Sequence, residues 1–458
     1  MPMKDSRKCV FCFHELQPTD ICFENIDDTV DPTEDEIKWK YKRMLNSNIQ
    51  QYDIEAMSRK PIVRYGAGSQ DDFVVDSATG FPLLWRQPMG DGDFTLPNQK
   101  RICAYCHMPL PEKFGKCPNV MIGFCGNSGS GKTVYMLSLL HDLIQVEGMS
   151  VTWDAALSPD KDIASGGINY KDAYQAMYQG EDGAFQLPAA TDPNVVLPPL
   201  VLDCMYGDRE FMLTAYDMAG EGMKQPFYMA RMASFLLHAH GVVYLKDPEY
   251  FDGFSKAASK LNEHEFLDSV FSMISAGTQE RGGQPAHIAI AMTKIDMLLD
   301  KYGANPEFQK IVGKMFDGES VGIHSRGFNV SQAILYNRYM QNLYKWTMTT
   351  DHTILTLYAR QRGQKETPEK PEKRGLFSRM FGGKKREEDV QEDSILQRAM
   401  LFGVSPLGRD ANPHRDPYTG MTVVDRAPNG LHNADPVLWL LYCCGLFPAR
   451  RVGPEQGR

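Results

Sequence analysis

Residues 126–133, Gly-Asn-Ser-Gly-Ser-Gly-Lys-Thr, constrain this chain more than any other stretch. They fit G-x-x-x-x-G-K-[ST], a loop that cradles phosphate when it joins a strand to a helix. Both neighbours are in place. Val120–Cys125 is an apolar run that reads as a buried strand, and Val134–Leu140 opens as an amphipathic helix. Gly126, Gly129 and Gly131 have no Cβ, so the backbone can close around a phosphate. Across Gly126, Asn127, Ser128, Gly129, Ser130 and Gly131 the N–H groups then turn inward. The helix N-terminus adds partial positive charge. Lys132 reaches the β- and γ-phosphates, and the Thr133 hydroxyl is placed to ligate Mg²⁺.

Other strand-like runs follow in order. Residues 200–216 read as a hairpin: one strand over Val201–Tyr206, a turn at Gly207-Asp208-Arg209, and a return through Phe211–Tyr216. Gly241–Pro248, His287–Leu298 and Ala399–Gly408 are further buried strands, and Asp435–Phe447 is a closing helix. Strands alternating with helical segments predict an α/β fold with a parallel sheet. Two regions depart from that rhythm. Residues 150–199 form a long Gly- and Ala-rich connection. Residues 363–394 are rich in Lys, Glu, Pro and Gly and read as a disordered insertion.

Ahead of the phosphate loop lie two cysteine pairs, Cys9-x₂-Cys12 and Cys103-x₂-Cys106, in echoing contexts (CVFCFHELQP and CAYCHMPLPE). Two such knuckles supply four thiolates for one tetrahedral Zn²⁺. Free buried thiols are the alternative, and Cys22, Cys117, His14 and His107 are reserve ligands. The gap between knuckles exceeds the usual spacing, so a zinc-ribbon-like module over residues 1–118 is expected to carry an insertion at about 23–100. Within it, Thr33 caps an expected helix whose acidic first turn precedes Lys38, Lys40, Lys42 and Arg43. Trp39 and Tyr41 could stack on nucleic acid there; a solvated helix is the favoured reading. The remaining residues, 119–458, form the nucleotide-binding domain.

Composition narrows the functional classes. The 458 residues suit two or three domains at roughly 150 each. A net charge of −9 argues against a bulk polyanion-binding surface. No apolar run approaches the roughly 20 residues of a membrane span. The N-terminus has no apolar stretch behind its lysines, so no secretory signal is expected. A cytoplasmic, reducing location follows, in which the ten cysteines favour metal ligation over disulfides.

The base-reading residues separate ATP from GTP. Thr293-Lys294-Ile295-Asp296 follows a hydrophobic strand, at the sheet edge where ligands bind in open α/β folds. Guanine presents N1–H and a 2-amino group side by side, and one carboxylate, Asp296, can accept both. Adenine offers neither and would leave a buried carboxylate unpaired. The Lys294 stem can lie along the base.

In this order the motifs resemble those of the translation-factor-related, Ras-like GTPases, over about residues 120–450. The resemblance implies roles for further residues. Asp217–Gly220 matches DxxG, whose Asp217 holds Mg²⁺ through water and whose Gly220 N–H senses the γ-phosphate. Thr293–Asp296 matches [NT]KxD. Ser405-Pro406-Leu407 stands where the family has SA[KL]. The switch I threonine is assigned to Thr191, with Thr152 as the alternative, and the long connection at about 150–199 is the switch I region. Glu221 stands where a water-orienting Gln is usual. Pro406 has no N–H for guanine O6, so either the register shifts or Ser405 does that work.

The fused knuckles, the insertions and the C-terminal helix resemble the bacterial double-GTPase proteins, type two. That likeness implies a Mg²⁺-dependent GTP/GDP switch with slow hydrolysis, acting on protein partners in a conflict or defence system, with a second GTPase encoded nearby. A ribosome- or RNA-associated GTPase and a P-loop ATPase are the alternatives.

Overall fold

The computed structural model describes residues 7–25, 62–66, 69–89, 92–126, 129–157, 169–180, 185–189, 198–217, 234–248, 260–312, 327–347, 354–355, 358, 398–409 and 411–449. The chain divides into two compact units. The first comprises Met1–Phe124, Gly148–Ala239 and Pro413–Ala427; the second comprises Cys125–Glu147, His240–Asn412 and Pro428–Arg458. The fold is mixed α/β, with parallel strand pairs in both units.

The first unit begins with an antiparallel sheet of β1 (Ile21–Asn25), β2 (Ile62–Arg64) and β3 (Gln99–Cys103), with β1 in the middle. Ile21 lies opposite Cys103 in register, so β1 fixes where the second cysteine knuckle starts. Phe23, Phe73, Phe81, Phe114 and Leu110 fill the core beside it.

Four further strands follow: β4 (Asn119–Gly126), β5 (Met149–Trp153), β6 (Leu200–Tyr206) and β7 (Arg209–Asp217). Every residue of β4 is buried, as a strand covered on both faces requires. β6 and β7 form the expected hairpin, but its turn is only Gly207-Asp208, because Tyr206 already pairs with Arg209. Gly207 takes φ 62°, the left-handed start that a two-residue hairpin loop demands. β5 pairs antiparallel with β6, so the Gly- and Ala-rich connection opens with a strand. β7 runs parallel to β4, with Asp217 opposite Phe124. The chain returns to this unit late: Thr422–Val424 pairs with Phe185–Gln186.

The second unit starts inside β4. Helix α1 (Lys132–Ile144) follows the phosphate loop. Then come β8 (Gly241–Lys246), α2 (Lys260–Ala276), β9 (His287–Met292), α3 (Ile295–Tyr302), α4 (Val330–Thr347), β10 (Ala399–Gly403) and α5 (Asp435–Cys443). β8, β9 and β10 are parallel neighbours in that order, and helical segments cross between them. Apart from Lys246 and His287, all three strands are apolar, and they are almost wholly buried. α5 is the buried terminal helix that the sequence predicts: Val437, Leu438, Trp439, Leu440 and Leu441 are fully enclosed. It packs so closely that a Cβ on Gly241 would meet Leu440 at 2.7 Å. Among the described residues, no helix is long and apolar enough to cross a membrane.

Candidate functional site

The phosphate loop leaves the end of β4 and enters α1 as expected. Gly126 has φ 154°, and a Cβ there would lie 2.5 Å from the Leu245 carbonyl oxygen. Only glycine fits that approach. Gly129 (φ 79°) and Gly131 (φ 77°) take left-handed conformations that β-carbons strain. Lys132 is buried, and its Nζ donates to the Gly126 carbonyl at 3.0 Å, spanning the loop. Thr133 follows at the helix start, also buried. Ser130 is 1 % exposed, and among the described residues its Oγ has no hydrogen-bond partner. A tight glycine cradle, a cation and an unsatisfied buried hydroxyl suit a bound phosphate chain. Asn127 and Ser128 lie outside the described residues.

A second cluster forms in the same unit at the C-terminal ends of β9 and β10. The Thr293 N–H donates to the Lys246 carbonyl at 2.8 Å, extending the β8–β9 pairing by one residue. Lys294 then takes φ 50°, a costly conformation for a side-chain-bearing residue, and α3 starts at once. The kink puts Asp296 in the first turn of α3 and sends Lys294 Nζ to Asp247 Oδ2, 2.6 Å away. Ser405 Oγ donates to Asp296 Oδ1 at 2.5 Å and accepts from the Gly408 N–H at 3.1 Å. Burial pushes the Asp296 carboxyl above the usual carboxylate range, against the opposing bond from Ser405. The half-buried acid therefore resists ionising. The segment after β10 is tied to the phosphate side, since Ser138 Oγ of α1 donates to the Pro406 carbonyl at 2.8 Å.

Asp217 ends β7 in the first unit and is buried. Thr152 sits within β5, opposite Asp203. Thr191, Gly220 and Glu221 lie outside the described residues, as do residues 363–394 and the expected helix at 33–43. Sequence reasoning missed Asp247. Its signal was available: an acid directly after the all-apolar strand Gly241–Leu245 and its terminal lysine has to face a cation.

The four knuckle cysteines converge in the first unit. Their sulfurs all lie within 4.8 Å of one another. Cys9 Sγ is 3.7 Å from Cys106 Sγ, and Cys12 Sγ is 3.8 Å from Cys103 Sγ. A tetrahedron of sulfurs at Zn–S distances of about 2.3 Å has edges of about 3.8 Å. The knuckles also share one backbone design. In the first, the Cys9 N–H donates to the His14 carbonyl and the Phe13 N–H to the Cys9 carbonyl. In the second, the Cys103 N–H donates to Met108 and the His107 N–H to Cys103. Phe13 (φ 62°) and His107 (φ 59°) hold the same left-handed position in each. Burial raises the Cys9 thiol, yet bonds from Cys103, Cys106 and Cys12 outweigh it and bring it well below the usual thiol range. The reserve ligands stay outside the cluster: His14 stacks on Tyr105 at 4.4 Å, and burial pushes Cys22 and Cys117 each up to about 12.

No family profile and no curated protein matches the chain. Solved structures do. The G domain of the T. maritima FeoB iron transporter is 14% identical over 43% of this chain and 83% of its own, with a TM-score of 0.19. The bacterial selenocysteine-specific elongation factor EF-Sec is 11% identical over 44% of this chain, at TM-score 0.21. The S. cerevisiae Ski7 GTPase-like domain, bound to GTP, is 15% identical over 44% of this chain, at 0.23. The chain spans 24% of the EF-Sec structure and 40% of the Ski7 structure. At such TM-scores these likenesses carry no argument about the chain's chemistry.

Proposed function

We propose that this chain binds GTP and hydrolyses it to GDP, acting as a nucleotide-dependent switch. One observation carries the reading. The glycine cradle with Lys132 and the Asp296–Ser405 corner belong to one unit, and the bond from Ser138 to Pro406 ties them together. A phosphate-binding loop alone suits any nucleotide. A half-buried, hydrogen-bonded carboxylate at the sheet edge suits guanine, because only guanine supplies two adjacent donors.

The following roles belong to this proposal. Lys132 leaves the Gly126 carbonyl for the β- and γ-phosphates, and its charge offsets the charge that spreads onto the transferring group. By resemblance, Thr133 and Asp217 are the residues that would hold Mg²⁺, which would supply electrostatic stabilisation of the phosphate oxygens. Asp296 accepts from the base. Ser405 is committed to Asp296, and Pro406 has no N–H. The Gly408 N–H is committed to Ser405. Among the described residues the Leu407 N–H has no partner, so of the two alternatives for guanine O6 a register shift to Leu407 is favoured. Gly220, Thr191 and Glu221 complete the proposed cycle by resemblance. A carboxylate at 221 lacks the amide donor of the usual Gln, which suits slow hydrolysis without a partner.

The four cysteines are proposed to hold one Zn²⁺, since the sulfur spacing suits that ion. Protein partners, among them a second GTPase encoded nearby, a cytoplasmic location and a role in bacterial conflict or defence remain part of this reading through resemblance. Titration calorimetry with Mg²⁺ tests its core: GTP and GDP should bind and ATP should not. Equal affinity for ATP would overturn the guanine assignment.

A further inference from the structure

The first cysteine knuckle is bonded to the strand that carries Asp217. Val10 lies between Cys9 and Cys12, and its carbonyl accepts a buried 2.8 Å hydrogen bond from the Tyr216 hydroxyl. Tyr216 directly precedes Asp217 in β7. Phe13, at the left-handed corner of the same knuckle, lies 5.6 Å from the Tyr216 ring and stacks on His238 at 4.7 Å. Tyr216 also stacks on Phe235 at 5.1 Å, nearly parallel. Phe235 in turn fills the space over Gly123, where a Cβ would meet it at 2.5 Å. Gly123 lies opposite Tyr216 in register, three residues before Gly126. One knuckle thus touches the last residues before 217 and the turn Phe235–His238. No apolar-packing need explains the Tyr216 hydroxyl: a Phe would fill the same volume, and the O–H has value only for its single bond to the metal loop.

We infer that a metal ion in the cysteine cluster positions Asp217, through the Val10 carbonyl and Tyr216, so that metal loading of the knuckle sets the Mg²⁺ dependence of the nucleotide cycle. Val10 lies between Cys9 and Cys12, so tying both thiolates to a common centre would restrain the carbonyl that Tyr216 bonds. Successive residues of a strand face opposite sides, so anchoring Tyr216 fixes the direction in which Asp217 leaves the sheet. Tyr216 is a positioning residue: it need not touch nucleotide or Mg²⁺. Losses of such outer partners typically cost 10–100-fold in metal affinity or activity. The inference rests on the proposed GTPase reading, and one arm of its test does not.

The test uses the full chain loaded with zinc, the same chain stripped with a chelator, and Tyr216→Phe in both states. Hydrogen exchange over Met212–Asp217 needs no nucleotide. Exchange there should quicken on stripping wild type, and Tyr216→Phe should show part of that increase while retaining one equivalent of zinc. For GTP turnover, the Mg²⁺ concentration at half-maximal rate should rise about tenfold on stripping. It should also rise in zinc-loaded Tyr216→Phe, with little further rise when that variant is stripped. Affinity for GTP without Mg²⁺ should stay unchanged, which a merely loosened fold would not give. Zinc loss that leaves exchange over 212–217 unaltered would overturn the inference, as would additive effects of stripping and Tyr216→Phe on the Mg²⁺ midpoint, or a purified chain that takes up no zinc. If the chain turned over no GTP, the GTPase reading would fail, and the exchange arm would still decide the link between knuckle and strand.

Discussion

The cysteine cluster and the Asp296–Ser405 corner are both joined across long stretches of chain. Cys9 and Cys106 are 97 residues apart, and Ser405 and Asp296 are 109 apart. They close in different ways. The corner is closed by its own polar pair, with the Gly408 N–H supporting Ser405. The cluster brings four thiols within 4.8 Å of one another. One should survive without a ligand, and the other should need an ion. The difference also teaches where stability can be stored. A hydrogen-bonded pair contributes about 1–3 kcal/mol, whereas structural zinc contributes about 10 kcal/mol or more.

The largest expected effect breaks the comparison on the metal side. Replacing Cys9 and Cys12 together by Ser should release about one equivalent of zinc and unfold the module around β1–β3. The second unit should keep its nucleotide affinity to within a few-fold. Elemental analysis with limited proteolysis would check both parts. Zinc retained in the double variant would return Cys22, His14 or His107 to the ligand set.

Next in size is Lys132→Ala. It removes the cation that spans the phosphate loop, and truncating one partner of a buried charged contact costs about 2–5 kcal/mol. Affinity for GTP should fall at least roughly 10²-fold, while zinc content and melting temperature stay close to wild type. Unchanged affinity by calorimetry would place the nucleotide elsewhere.

These two regions were also unequally legible in the sequence. The knuckles announce themselves twice, in CVFCFHELQP and CAYCHMPLPE, and the repetition itself says that they pair. The phosphate loop is contiguous, so strand, loop and helix could be read at once. Local alternation and apolar runs likewise revealed β6, β7, β8, β9, β10 and α5. Ser405 was readable only by its place in the order of motifs, because serine has no spacing signature of its own. Long-range contacts between ordinary residues were not readable at all. Nothing in the sequence joins Tyr216 to Val10, or shows that β5 returns antiparallel to β6 rather than running on as loop. Lys294–Asp247 lay between: the acid was visible, but its partner depended on the left-handed turn at Lys294.

Asp296→Asn tests the corner more gently. An amide can accept from only one of guanine's two donors, and its own N–H₂ opposes the other. GTP should weaken by about 10² or more. Xanthosine triphosphate, with a carbonyl in place of the 2-amino group, should become the preferred ligand. A competition titration that still favours GTP would show the base reader to be misassigned.

The smallest effect contrasts two carboxylates, Asp296 half-buried and Asp203 buried. Asp296 accepts from Ser405, whereas Asp203 in β6 is buried and its Oδ1 has no hydrogen-bond partner among the described residues. Burial, then repulsion from Asp154, pushes Asp203 up to about 6, with Lys113 opposing. An unfolded aspartate titrates near 3.9. The fold therefore prefers the neutral form. Stability from this group is fully present below about pH 4 and is lost as pH rises through about 6. Asp203→Asn keeps the shape and removes the ionisation. It should match wild type near pH 4 and exceed it by about 1–2 kcal/mol at pH 8, because the amide never charges. Denaturant unfolding at both pH values would show this. A variant less stable than wild type at pH 8 would mean that the charged carboxylate is useful there, held by Lys113, and that the two acids are closer in kind than their surroundings suggest.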